Sequence, residues 1–198
     1  MACKTLGRLC HQSKDKFDPV VSTITPLCMV GSDDTGTKLL SLLDNCGSPG
    51  GNINTRVVRN TRAKYPSRRT ALSVLPIFQD GRRGCFFDAA SNTQFSADQV
   101  LEMIADLEID PTGGYGALLF GYPHLLPLMQ GPSLARFFHE ARKRMIDGGI
   151  VALDLNGVPE SQLVMAGNLR SHADLRTDRV IGAALEHVDI LHLNEDEL

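Results

Sequence analysis

The sequence predicts an α/β fold, a mostly parallel sheet with helices on both faces and a small β-hairpin set into it. Three observations carry that prediction. Strand-like and helix-like segments alternate along most of the 198 residues, and such alternation calls for parallel strands joined by crossover helices. Several strand-like runs end in a small or polar residue at the place where a loop must begin. One stretch breaks the alternation: Asp80-Gly81 between two apolar runs, the turn chemistry of a hairpin.

The elements follow in order. Val20 to Val30 is rich in Val, Ile, Thr and Leu and ends at Gly31, which predicts a strand running into a loop. Thr35 to Leu43 places four leucines on one helical face, with Asp33 or Asp34 positioned to cap it. Cys46 to Gly51 is loop by its Gly and Pro content. Gly50-Gly-Asn-Ile-Asn54 is expected to be an inserted surface loop. The hairpin spans about residues 70–88, and Pro76 within it requires an edge or solvent-facing position because it has no N–H to donate. Ser96 caps a helix carrying Val100, Leu101, Ile104 and Leu107, and Ala117 to Phe120 is a buried strand ending at Gly121. Ser133 to Ile146 is amphipathic and expected to end at Gly148-Gly149, before a strand from Ile150 to Asp154. Leu175 to Leu185 is expected to be helical, and Val188 to Leu193 a strand ending at Asn194.

Composition excludes several classes of function. A net charge of −3 and the absence of tryptophan argue against bulk binding of nucleic acid or anionic membrane. The basic clusters Arg82-Arg83 and Arg142-Lys143-Arg144 lie beside apolar periodic segments and are expected to be solvated faces. No apolar run approaches the ~18 residues of a membrane span. Five cysteines without a Cys-x-x-Cys pair favour reduced thiols, so the cytoplasm is the expected location. Met1 to Gln12 carries Lys4 and Arg8 and no acid, a composition shared with organellar presequences, so organellar targeting stays open.

In parallel sheets, ligands bind outside the carboxyl ends of the strands. That rule selects Gly31 to Asp33, Gly121, Asp154 to Asn156 and Asn194 to Glu197. Competing motifs fail on their defining residues. His139-Glu140 is followed by Lys143 where a zinc-binding helix has its second histidine, and neither a Walker A loop nor a dinucleotide glycine fingerprint occurs. Asn194 and Glu197, three residues apart, suit a helix cap with its capping box.

Five segments together resemble the ribokinase-like family of carbohydrate and nucleoside kinases. Val30-Gly-Ser-Asp-Asp-Thr-Gly36 is similar to its V-G-x-D-x-x-G turn, and Thr70 onward with Asp80-Gly-Arg82 to its substrate-covering lid hairpin. Ala90-Ser-Asn92 stands where many members have Gly-Ala-Asn. Val151-Ala-Leu-Asp-Leu-Asn156 resembles the V-x-x-D-x-N strand end, and Asp189 to Glu197 the D-I-x-x-x-N-x-x-E segment. The resemblance covers roughly Val20 to Leu198. It implies transfer of the γ-phosphate of ATP to a hydroxyl of a sugar or nucleoside. It further implies Asn194 and Glu197 beside Mg²⁺, and Asp33, Asn92, Asp154 and Asn156 as substrate-binding residues. A phosphoryl-transfer site works mainly by positioning and charge neutralisation, which those residue types suit.

Two family elements have no counterpart in these residues: the opening strand with its Gly-Gly-x-x-x-Asn motif, and the Gly-x-Gly-Asp segment that supplies the anion hole and catalytic base. No residue is therefore assigned as catalytic. The expectation is a partial ribokinase-like domain over residues 1–198, with the C-terminal part of the fold absent. Such a piece is inactive alone, or a non-catalytic sugar- or nucleoside-binding or dimerising module. No nucleic-acid or membrane partner is expected; self-association through the lid or an exposed sheet edge is.

Overall fold

The computed structural model describes residues 23–44, 54–55, 69–82, 84–106, 114–155, 176 and 178–193. Its contacts divide the chain into two compact units, Met1–Ser91 and Asn92–Leu198.

In the first unit, β1 (Thr23–Ile24) pairs in parallel with β2 (Asn54–Thr55). The strand expected over residues 20–30 is thus short among the described residues. Pro26, with no N–H to donate, follows two residues after its end, and the chain continues without a ladder to the buried Met29, Val30 and Gly31. Asn54, expected in a surface loop, begins β2 instead. Helix α1 (Asp34–Asp44) follows the loop, close to its predicted bounds.

The hairpin forms as predicted. β3 (Leu72–Val74) pairs antiparallel with β4 (Phe86–Asp88) in the register Leu72↔Asp88, Ser73↔Phe87 and Val74↔Phe86. The Gly81 N–H donates to the Phe78 carbonyl (3.0 Å) and the Phe78 N–H to that of Arg82 (2.8 Å), so Gln79 to Gly81 form a three-residue connection. Gly81 sits at φ +82°, a conformation glycine adopts without strain. Pro76 uses only its carbonyl, which accepts from Gly84 (3.0 Å). Much of the ribbon's apolar surface stays in water: Ile77 is 78% and Phe86 71% exposed.

A 3-10 turn, Ala90–Gln94, leads into the second unit. Helix α2 (Ala97–Ala105) starts with the predicted cap. Ser96 Oγ accepts from Gln99 N–H (3.4 Å) while Gln99 Oε1 accepts from Ser96 N–H (3.0 Å), which closes a capping box. Strands β5 (Tyr115–Gly121), β6 (Met145–Asp154) and β7 (Ile190–His192) form a parallel sheet in the order β5-β6-β7. Helix α3 (Pro132–Arg142) connects β5 to β6 and packs on β6, while a 3-10 helix, Gly182–His187, precedes β7 and packs on α3. Helix α3 covers one face of the sheet, and the 3-10 helix packs against it.

That face is the core. Phe120, Val151 and Leu153 meet Leu134, Phe137, Phe138 and Ala141, and the three phenylalanine rings stand 5.4–5.6 Å apart. Each of the larger side chains contributes roughly 1.5–3 kcal/mol by leaving water. The opposite face carries Leu119 and Ile190, both exposed.

Two boundaries differ from expectation. Helix α3 ends at Arg142, not Ile146: Met145 is already paired with Tyr115, whose N–H donates to the Arg144 carbonyl (3.3 Å). Gly148 (φ +75°) therefore lies in the irregular start of β6 and is not a helix C-cap. The helix expected over residues 175–185 is, among the described residues, a turn and a 3-10 helix. Asp178 Oδ1 accepts from Val180 and Ile181 N–H (2.7 and 2.9 Å) and starts it.

Candidate functional sites at the strand ends

In the first unit the predicted V-G-x-D-x-x-G turn builds a clamp. Asp33 Oδ1 accepts from the Gly36 N–H (2.9 Å), so its side chain caps α1, and also from the Thr70 hydroxyl (2.6 Å). Asp33 Oδ2 accepts from the Thr70 N–H (2.9 Å). The Thr70 hydroxyl in turn accepts from the Gly31 N–H (2.9 Å). The glycines are needed for this approach. A Cβ on Gly31 would lie 2.4 Å from the Arg69 carbonyl carbon, and one on Gly36 would lie 2.4 Å from the Gly31 oxygen and 2.7 Å from Thr70 Oγ1. The fully buried Ser91 adds a second tie, accepting from Ala71 N–H and donating to the Met29 carbonyl, both at 3.1 Å. Three donors on one half-buried carboxylate hold its pKa down to about 2 from 3.8. The Thr70 hydroxyl is the largest cause, followed by the Thr70 and Gly36 N–H groups.

Asn92 sits half-buried in the 3-10 turn, its carbonyl accepting from Phe95 N–H (3.3 Å). Two residues earlier, Ala90 adopts φ +33°, in the left-handed region.

In the second unit the carboxyl ends of the strands form one cross-strand row. Gly121 pairs with Asp154, and Asp154 with His192. His192 Nδ1 stands 3.0 Å from Asp154 Oδ1. The backbone beneath the row is fully used: Tyr122 N–H donates to the Asp154 carbonyl (2.9 Å) and Leu155 N–H to that of His192 (3.2 Å). Tyr122 itself occupies the left-handed region (φ 61°, ψ 48°), a strained conformation of the kind that gathers at functional strand ends. Asn156, Asn194 and Glu197 lie outside the described residues, as does any metal arrangement built on them. Among the described residues no group of three or more His, Cys, Asp or Glu side chains is arranged to hold a metal ion.

Asp33 thus belongs to the first unit, Asn92 and Asp154 to the second, and the geometry reaches each one separately. Sequence reasoning did not single out Thr70, Ser91, Arg142 or His192. Thr70 and Ser91 stand within the quoted segments, but nothing adjacent to either hydroxyl marks its distant partners, 37 to 62 residues away. Arg142, expected on a solvated face, donates from Nε and a terminal nitrogen to the His187 carbonyl (3.1 and 2.9 Å) and pairs with Asp189. Asp189 Oδ2 also accepts from Val151 N–H (2.7 Å), and that bond, ahead of the one from Arg142, lowers its pKa. His192 had one available signal: it shares the alternation of Ile190, which puts it on the open face.

A search of solved structures matches nearly the whole chain to the ribokinase of Giardia lamblia. Identity is 14% and the TM-score 0.52, over 99% of this chain and 47% of that one. A structure of Sa239 matches at 13% identity and a TM-score of 0.48, over 98% of this chain and 49% of that one. A scan against protein-family models and a search of curated proteins find no match for the sequence. The class defined by the parallel sheet, its crossovers and the small antiparallel pair is mixed α/β. Within that class the fold is ribokinase-like. The chain spans about half the length of the solved structures it matches.

Proposed function

We propose that this chain carries the substrate-binding and metal-side part of an ATP-dependent kinase that phosphorylates a hydroxyl of a small sugar or nucleoside. The ribokinase-like fold carries the reading, and Asp154, from one of the family-like motifs, ends a parallel strand, where ligands of such sheets bind. Asp154 at the end of β6 and Asp33 behind the first loop supply acceptors for substrate hydroxyls. Asp33 keeps acceptor capacity at Oδ2, where Thr70 is its one donor among the described residues. Asn92 and Asn156 complete the substrate-binding set. Asn194 and Glu197 are the residues for Mg²⁺; carboxamide and carboxylate oxygens suit a hard cation that retains several waters. Bound there, Mg²⁺ would supply charge neutralisation at the phosphate.

For the 198-residue polypeptide by itself the reading expects binding without turnover, since none of its residues is assigned as the catalytic base. The cytoplasmic location drawn from the cysteine pattern belongs to the same proposal. Among the described residues no helix is long and apolar enough to cross a membrane. The test is calorimetry of residues 1–198 with a panel of sugars and nucleosides, with and without Mg·ATP, beside a phosphotransfer assay. Binding of at least one panel member is expected; silence across the whole panel would sink the reading.

A second reading, a dimerising module derived from the same fold, is favoured by the exposed apolar ribbon of the hairpin. Phosphotransfer by the isolated chain would exclude it.

A further inference from the structure

The Gly121–Asp154–His192 row has two properties that the kinase reading does not require. The Asp154 side chain is 29% exposed, and the one partner of its carboxylate among the described residues is His192, on Oδ1. A carboxylate oxygen at this exposure keeps acceptor capacity that a ligand hydroxyl can use. Beside it, Gly121 leaves open space. A Cβ there would touch nothing closer than the Asp154 Cβ at 3.7 Å and the Asp154 carbonyl at 3.8 Å, which is ordinary contact. The backbone would therefore accept a side chain at this position, and that side chain would stand against the flank of Asp154.

We propose that this row is a seat for two neighbouring hydroxyls of a polyol. In it Gly121 sets the bulk the seat admits, and His192 is a positioning residue that orients the Asp154 carboxylate. The hydroxylated ligand class rests on the kinase reading; the roles of Gly121 and His192 rest on the strand register. A carboxylate accepts on both oxygens, so a vicinal diol satisfies it where a lone alcohol does not. With Asp154 ionised, the Nδ1–H of His192 holds Oδ1 and fixes the rotation of the group. At 72% exposure His192 contributes little to stability, so its replacement tests orientation without unfolding the sheet.

The experiment is a titration of the full 198-residue chain with ribose, adenosine and 2′-deoxyadenosine, read by calorimetry and amide NMR. Ribose or adenosine should shift the amides of Tyr122, Leu155 and His192, and 2′-deoxyadenosine should bind more weakly than adenosine. Gly121→Val should weaken binding about tenfold or more while the thermal midpoint is not lowered. His192→Asn, which keeps an N–H donor near the Nδ1 position, should stay close to wild type, whereas His192→Leu should lose about tenfold. Wild-type affinity in Gly121→Val, equal behaviour of the two His192 variants, or shifts confined to the first unit would overturn the inference and leave the kinase reading standing. No binding of ribose or adenosine would also overturn it, and the kinase reading falls only if the wider panel is silent too.

Discussion

Asp33 was expected at the site as a substrate ligand or a helix cap, and its carboxylate proves to be the hub between a loop and a hairpin. Three protein donors on two oxygens make it a strongly favoured anion. Because its folded pKa is depressed, the stability it adds is fully present above the unfolded pKa and lost as pH falls through the folded one. The window runs from about pH 4 down to about 2. Carboxyl carbon NMR should find the Asp33 midpoint near 2 and, in Thr70→Val, back toward the ordinary aspartate range. The same variant leaves the buried Gly31 N–H without its acceptor and should cost about 2–3 kcal/mol in denaturant unfolding. Ala90 offers the opposite test. An L-residue at positive φ is strained by roughly 1–2 kcal/mol, more than glycine's entropic penalty, so Ala90→Gly should stabilise the chain by ~0.5 kcal/mol.

Among the elements, those with chemistry written into a few adjacent residues were readable beforehand. The Ser96 capping box, the Gly81 turn, the edge role of Pro76 and the start of α1 all follow from local geometry that neighbouring residues decide. Boundaries decided by distant partners were not readable. Helix α3 gives way at Arg142 because Arg142 reaches the His187 carbonyl and Asp189 and because Tyr115 recruits Arg144 and Met145 into the sheet. Gly148-Gly149 looks like a helix stop in sequence and functions as a strand irregularity. The candidate sites divide in the same way. Asp154 stands at a strand end and Asp33 in a loop that the alternation points to, whereas Thr70 and His192 matter through contacts 37 and 38 residues away.

At the scale of the molecule, two apolar surfaces lie open. Among the described residues, helix α3 covers one face of β5-β6-β7, and Leu119 and Ile190 lie in water on the other. The hairpin exposes Leu72, Val74, Leu75, Ile77, Phe78 and Phe86 together. An apolar two-stranded ribbon is a ready template for a second copy, which supports the proposal of self-association through the lid. Sedimentation of the 198-residue chain should show a concentration-dependent dimer or larger species, shifted toward monomer by Ile77→Lys with Phe86→Glu. A wild-type chain that stays monomeric at all concentrations would refute it.

The clamp around Thr70 also bears on how the chain breathes. Three amides that belong to neither helix nor strand (Gly31, Thr70 and Ala71) donate to side-chain oxygens of Thr70, Asp33 and Ser91. Their exchange with deuterated solvent is therefore governed by side chains and not by a backbone ladder, and slow exchange in this non-repetitive stretch would mark it as one cooperative unit. Removing one hydroxyl, as in Ser91→Ala, should speed exchange at Ala71 and loosen its neighbours with it. The short β1–β2 pair, with only two residues in each strand, should open far more readily. Among the described residues, the loop should then outlast the β1–β2 pair.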